Sequence, residues 1–303
     1  MSQHVRAAAL AVLALVVVAC SGSASSGSPG PSTAPSGTPS SAPSASPVGG
    51  VGAIEHATGA TDILLRLEEG GGFVAPSFLA TQAPIFTLYG DGTIVFRNPM
   101  KEGPPPVGDI YRLNPFRTAR LSEDQIQATL ERAIGEGGLG AARPKYENNM
   151  VADASTTTFT VNAGGLKKTV SVYALGMDDP TSADVLARAA FQKLAASLSD
   201  FDHGGTIPSQ LFVPTGYRGI LLDGGPGAPN ARKWPWPELK PSDFVAPADP
   251  NSFQLPVRVL TAAEVAALGV DQAEGGLQGA TLIGPNGKFY AFSLRPLLPG
   301  ETS

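Results

Sequence analysis

Three stretches of β-forming residues, each folded back on itself by a glycine turn, most limit what this chain can become. Residues 85–89 and 93–96 flank Gly90-Asp91-Gly92, residues 156–161 and 166–173 flank Asn162-Ala163-Gly164-Gly165, and residues 280–283 and 289–294 flank Gly284-Pro285-Asn286-Gly287. Glycine at such reversals supplies positive φ, and short connections of this kind join antiparallel neighbours. In the second hairpin the period of two puts Phe159 and Val161 on one face, opposite Val170 and Val172 of the partner. Asp91 is read as part of its turn, since an Asp-Gly reversal needs no catalytic carboxylate.

Helical patterns lie between these hairpins. Ser122 and Gln125 have capping-box spacing, Ile126, Leu130 and Ile134 recur every four residues, and Gly137-Gly138 ends the run. Residues 182–198 carry a second stripe, expected at Leu186, Ala190, Leu194 and Leu198 and widened by Ala189. Thr261 and Glu264 repeat the capping spacing after a strand expected at residues 255–260, and Gly269 is the stop. Further strands are expected at residues 63–67 and 219–222, with residues 223–250 forming a long loop or inter-lobe crossing. The class is therefore α+β, antiparallel hairpins packed with a few helices. Glu136-Gly137-Gly138-Leu139 and Glu274-Gly275-Gly276-Leu277 lie at similar distances from their helix starts, so the folded region, 51–303, reads as one domain or as two similar lobes, 51–200 and 216–303.

The N-terminus has a different character. Arg6 is followed by an uninterrupted run of Ala, Leu and Val over residues 7–19, and Val17-Val18-Ala19-Cys20 closes it. This stretch resembles the lipobox of bacterial lipoprotein signal peptides. The resemblance implies removal of residues 1–19, lipidation of Cys20, and a protein held on the extracytoplasmic face of the cell membrane through that lipid. The run falls short of the about 20 apolar residues that a spanning helix needs. Residues 21–47 are all Ser, Gly, Pro, Ala or Thr, so no large apolar side chain offsets the entropy of ordering them, and residues 20–50 are expected to be a disordered tether.

The hairpin sequence Leu88-Tyr89-Gly90-Asp91-Gly92-Thr93, the approach Ala152-Asp153-Ala154-Ser155-Thr156-Thr157 and the tail Arg295-Pro296-Leu297-Leu298-Pro299-Gly300-Glu301 resemble uncharacterised secreted lipoproteins of actinobacteria and other GC-rich bacteria. An excess of Arg over Lys, 13 to 8, agrees with such a source. That family carries no activity to transfer.

Charge and residue supply exclude several classes of function. The net charge is −5, and the Lys and Arg residues are scattered, so nucleic acid is not an expected partner. Cys20 is the single cysteine, and once lipidated it leaves no thiol for disulfides, nucleophilic catalysis or Cys-ligated metal. No dinucleotide, Walker, metalloprotease or serine-hydrolase motif appears, and no cofactor is expected. Two candidate sites remain. Asp200, Asp202 and His203 form a polar cluster directly after a helix, readable as a hydrolase base with an orienting carboxylate or as a solvated helix end. Trp234-Pro235-Trp236-Pro237 holds both tryptophans, which in a rigid loop either stack on a glycan or protein partner or cover a core. The reading is a lipid-anchored binding or assembly module of the cell envelope, with an envelope hydrolase near His203 as the alternative.

Overall fold

The computed structural model describes residues 52–98, 103–177, 180–224, 229–246 and 255–302. The signal, Cys20 and the tether lie outside them. In chain order the elements are β1 (Ile63–Gly71), α1 (Pro76–Thr81), β2 (Phe86–Tyr89), β3 (Thr93–Phe96), β4 (Tyr111–Arg112), β5 (Arg117–Arg120), α2 (Glu123–Glu131), β6 (Lys145–Tyr146), β7 (Ser155–Ala163) and β8 (Leu166–Tyr173). They continue with α3 (Val185–Ser199), β9 (Gln210–Leu211), β10 (Tyr217–Asp223), β11 (Arg232–Lys233), β12 (Val257–Leu260), α4 (Ala262–Ala266), β13 (Leu277–Ile283) and β14 (Phe289–Pro296).

The strands form two sheets, ordered β6-β8-β7-β1-β2-β3-β5-β9 and β11-β13-β14-β10-β12, with β4 also on β13. Pairing is antiparallel except at two short edges, β6 on β8 and β11 on β13. The fold is α+β, and all three expected hairpins are present. At the β7–β8 reversal Ala163 pairs Leu166, leaving Gly164 and Gly165 as a two-residue turn with φ of 60° and 74°. Two successive positive φ values fit the right-handed twist of the hairpin, which explains the glycine pair.

One face of the first sheet carries the larger core. Leu67, Phe86, Leu88, Phe96, Phe159 and Val172 are buried there against Ile126 and Leu130 of α2 and against α3. Each such side chain contributes roughly 1.5–3 kcal/mol by leaving water. The α2 cap forms as expected, with Ser122 Oγ accepting from the Gln125 amide. The helix then widens into a π turn at Arg132–Glu136, which buries Ala133 and leaves Ile134 only packed against the edge.

The stripe of α3 differs from expectation. Phe191, Leu194 and Leu198 face the core together with Arg188, while Leu186 is 83 % exposed. The reason is the Arg188 guanidinium, whose Nη2 donates to the carbonyls of Tyr173 (2.8 Å) and Ala174 (2.9 Å) at the end of β8. Turning Arg188 inward fixes the rotation of the helix, and Leu186 is carried to the solvent side.

The second sheet has its own core of Leu221, Leu260, Val265, Leu277, Phe292 and Leu294, closed by Trp236 and Phe244. The two sheets interlock. β4 of the first half pairs with β13 of the second sheet, α1 packs on β10 and β14, and Gln278 donates to Thr81 Oγ1. The possible likeness of the halves extends to the order of capped helix, glycine stop and hairpin. The hairpins nevertheless join their sheets by different strands, β7 to β1 in the first and β14 to β10 in the second.

Candidate functional site

Of the residues singled out in the sequence, Cys20 lies outside the described residues. Trp234 and Trp236 stand edge-on at 5.0 Å in an aromatic cluster with Phe244, Tyr290 and Phe292. Trp236 is 3 % exposed. Its indole N–H donates to the Glu264 carbonyl at 2.7 Å, and that of Trp234 to the Leu239 carbonyl at 2.8 Å. Both donors are satisfied internally and the rings close the second core, the covering role described above. β11 explains the placement, because its parallel pairing with β13 lays residues 232–236 across that sheet. Over its described residues 229–246 the segment stays with the second sheet, with one short edge strand and a 3-10 turn at Pro241–Asp243.

The polar cluster does not converge. His203 is exposed with φ 44°, Asp202 is buried, and Asp200 accepts from Asn98 Nδ2 at 2.9 Å. His203 borders a cleft of about 210 Å³ walled largely by Leu121, Leu194, Leu198, Phe201 and Ile207, and neither aspartate is among the described residues lining it. The base and carboxylate arrangement that a hydrolase requires is not assembled there. Among the described residues no group of three His, Cys, Asp or Glu side chains is placed to hold a metal ion. His56 has a structural part. Its Nε2 lies 3.1 Å from Glu123 Oε1, and hydrogen bonds first from Gln127 and then from His56 hold the Glu123 carboxyl below its usual range. Gln127 also brackets the backbone of Ile54, fastening the chain where the domain begins.

A different region gathers accessible chemistry. Where the second sheet no longer covers the first, an open cleft of about 390 Å³ is lined by Glu68, Gln82, Thr156, Thr158 and the glycines ending β1. The register explains it, for Glu68 pairs Thr158 and Gly70 pairs Thr156, so these side chains share one face. A Cβ at Gly70 would stand 2.8 Å from Gln82 Oε1, so a larger residue there would displace the end of that side chain. Burial pushes the Glu68 carboxyl up, against the pull of Arg66 at 3.8 Å. With Glu69 also on its wall, the cleft thus offers acceptors: two carboxylates, two hydroxyls and an amide.

Beside this cleft the chain exposes large apolar side chains. Phe73 is 91 % exposed on the loop leaving β1, Val74 and Phe78 follow it, and Met150 is 84 % exposed on the approach to β7. The Phe73 amide donates to the Asp153 carbonyl, which brings the two loops together, and Asn148 Nδ2 donates to the Met177 carbonyl at 2.7 Å. Met177 is exposed as well. Scattered surface apolar residues are ordinary, but several on adjoining loops at one end of a sheet mark an interaction surface. Sequence reasoning missed it. The available signal was Phe73-Val74 set between three glycines and Pro76, apolar residues where no strand or helix uses them.

The described chain begins at the other end. The Gly164 amide, at the far end of β7, donates to the Glu55 carbonyl at 2.7 Å. The nine residues of β7 span about 30 Å, so the apolar loops and the start of the domain occupy opposite poles of the first sheet. No protein-family model, curated protein or solved structure matches this chain.

Proposed function

We propose that the chain is a lipid-anchored extracytoplasmic module that binds or assembles with another component of the cell envelope, in the manner of the exported lipoproteins its N-terminus resembles. The observation that carries this reading is the polarity of the first sheet, with the start of the described domain at one end and the acidic cleft with its apolar loops at the other. The tether expected at residues 20–50 would span on the order of 30 Å as a coil. It would let the domain stand off the bilayer.

The test uses the scarcity of thiols. With Cys20 blocked by lipid, Phe73→Cys supplies the only free thiol, and its labelling by a membrane-impermeant maleimide is compared on intact cells and on the purified protein. Protection in cells and reactivity in the purified state are expected, together with a lipid-modified Cys20 by mass spectrometry of the wild-type N-terminus. Equal labelling in both states, or an unmodified Cys20, overturns the reading.

A further inference from the structure

The acidic cleft and the apolar loops beside it are fitted to one kind of partner. We infer that this end of the first sheet docks a protein segment in which Arg or Lys side chains alternate with apolar ones, a cation entering the cleft at Glu68 and its apolar neighbour resting on Phe73. This rests on the binding-module reading and names the chemistry of its partner.

Complementarity selects the occupant. The stretches forming this pole, residues 68–82 and 147–158, contain Glu68, Glu69, Glu147 and Asp153 and no Lys or Arg. Among the described residues the cations nearest them are engaged, Arg66 beside Glu68, Arg295 with Glu301, Lys145 with Glu147 and Arg143 with Asp184. Among the described residues Glu69 accepts from a neutral donor, Ser155 Oγ, at 2.6 Å, and Asp153 is exposed. The surface is therefore apolar with an acidic border. A second copy would set these carboxylates against their like, which opposes association. A basic, apolar segment answers both features, because an arriving cation offsets the desolvation of Glu68 while Phe73, Val74 and Phe78 lose water.

The closing experiment measures fluorescence anisotropy with the full lipidated chain in phosphatidylcholine nanodiscs. The probe is a fluorescein-labelled heptapeptide alternating Arg with Phe and Val, with a Glu-for-Arg peptide and empty nanodiscs as controls. Saturable binding of the basic peptide alone is expected, weakening with salt and by about tenfold in Glu68→Gln and in Phe73→Ser. Phe73 is exposed and Glu68 half-buried, and a cooperative melting transition no lower than that of the wild type shows that each variant is folded. Absence of binding, equal binding of the acidic peptide, or unchanged affinity in both variants overturns the proposal. Dimerisation of the protein that Phe73→Ser abolishes would reassign the surface to a second copy. If Phe73→Cys is protected in cells while the basic peptide fails to bind, the module reading stands and this partner chemistry falls.

Discussion

Arg295 and Glu301 close the chain on itself by a two-pronged ion pair inside the protein. Arg295 Nη1 donates to Glu301 Oε2 at 2.8 Å and Nη2 to Oε1 at 3.0 Å, and the Leu298 amide donates to the same carboxylate at 2.8 Å. Arg295 is 4 % exposed and points from β14 toward the first sheet, where Leu298 packs with Tyr89, Val95 and Phe116. Arg97 lies close by, its guanidinium 3.9 Å over the Phe116 ring and its Nη2 donating to the Gly275 carbonyl at 2.6 Å. Removing Glu301 leaves a buried cation beside another, so Glu301→Ala should destabilise by about 3 kcal/mol or more. Urea denaturation read by circular dichroism gives the number. A loss under 1 kcal/mol would show that the pair is dispensable.

Two carboxylates give the stability opposite pH slopes. Glu301 is held below its ordinary 4.5 despite burial, chiefly by its hydrogen bonds and ion pair with Arg295, so its contribution is present above that value and lost as pH falls through the folded pKa. Burial raises Glu68 above 4.5, so its contribution is present below that value and lost as pH rises through its folded pKa. Glu68→Gln should therefore flatten the decline on the upper side of 4.5 and leave the acid limb, while Glu301→Gln should reduce the acid limb. Urea midpoints measured between pH 3 and 7 decide it, and profiles parallel to wild type in both variants would refute the assignment.

The aromatic cluster makes a third prediction. Trp236 fills the centre of the second core and spends its N–H on the Glu264 carbonyl, at the foot of α4. Trp236→Ala should cost about 3–5 kcal/mol. Trp234 is half-buried at the margin, and Trp234→Ala should cost clearly less. Equal losses would mean that the edge strand β11 matters more than the burial of either ring.

The hairpins and capped helices were legible because local chemistry dictates them. Ser122 with Gln125, Thr261 with Glu264 and the glycines at 164 and 165 act within a few residues of themselves. Short edge strands were not legible, since β4, β6, β9 and β11 have two residues each and exist only through their partners. The inward turn of Arg188 depends on two carbonyls fourteen and fifteen residues away, and periodicity alone favoured Leu186. The acidic cleft escaped for a similar reason. Glu68 and Thr158 are cross-strand neighbours, and pairing over such a separation cannot be read from either stretch.

The reversal between β7 and β8 supplies the last prediction, because two adjacent glycines there should respond differently. Both have positive φ, which costs an ordinary L-residue roughly 1–2 kcal/mol. A Cβ on Gly164 would also stand 3.2 Å from Ile54 Cγ2, against the arm that enters the domain, whereas nothing lies within 4 Å of one on Gly165. Asn tolerates the left-handed region, so Gly165→Asn should change stability by less than about 1 kcal/mol. Gly164→Ala meets both the conformational cost and the contact, and it should destabilise by about 2 kcal/mol or more. Since the Gly164 amide also holds the Glu55 carbonyl, the same variant should free residues 52–58 for proteolysis. Limited digestion followed by mass spectrometry of the new N-termini checks this. Equal cleavage in the two variants would mean that the arm is held by Gln127 and His56 alone.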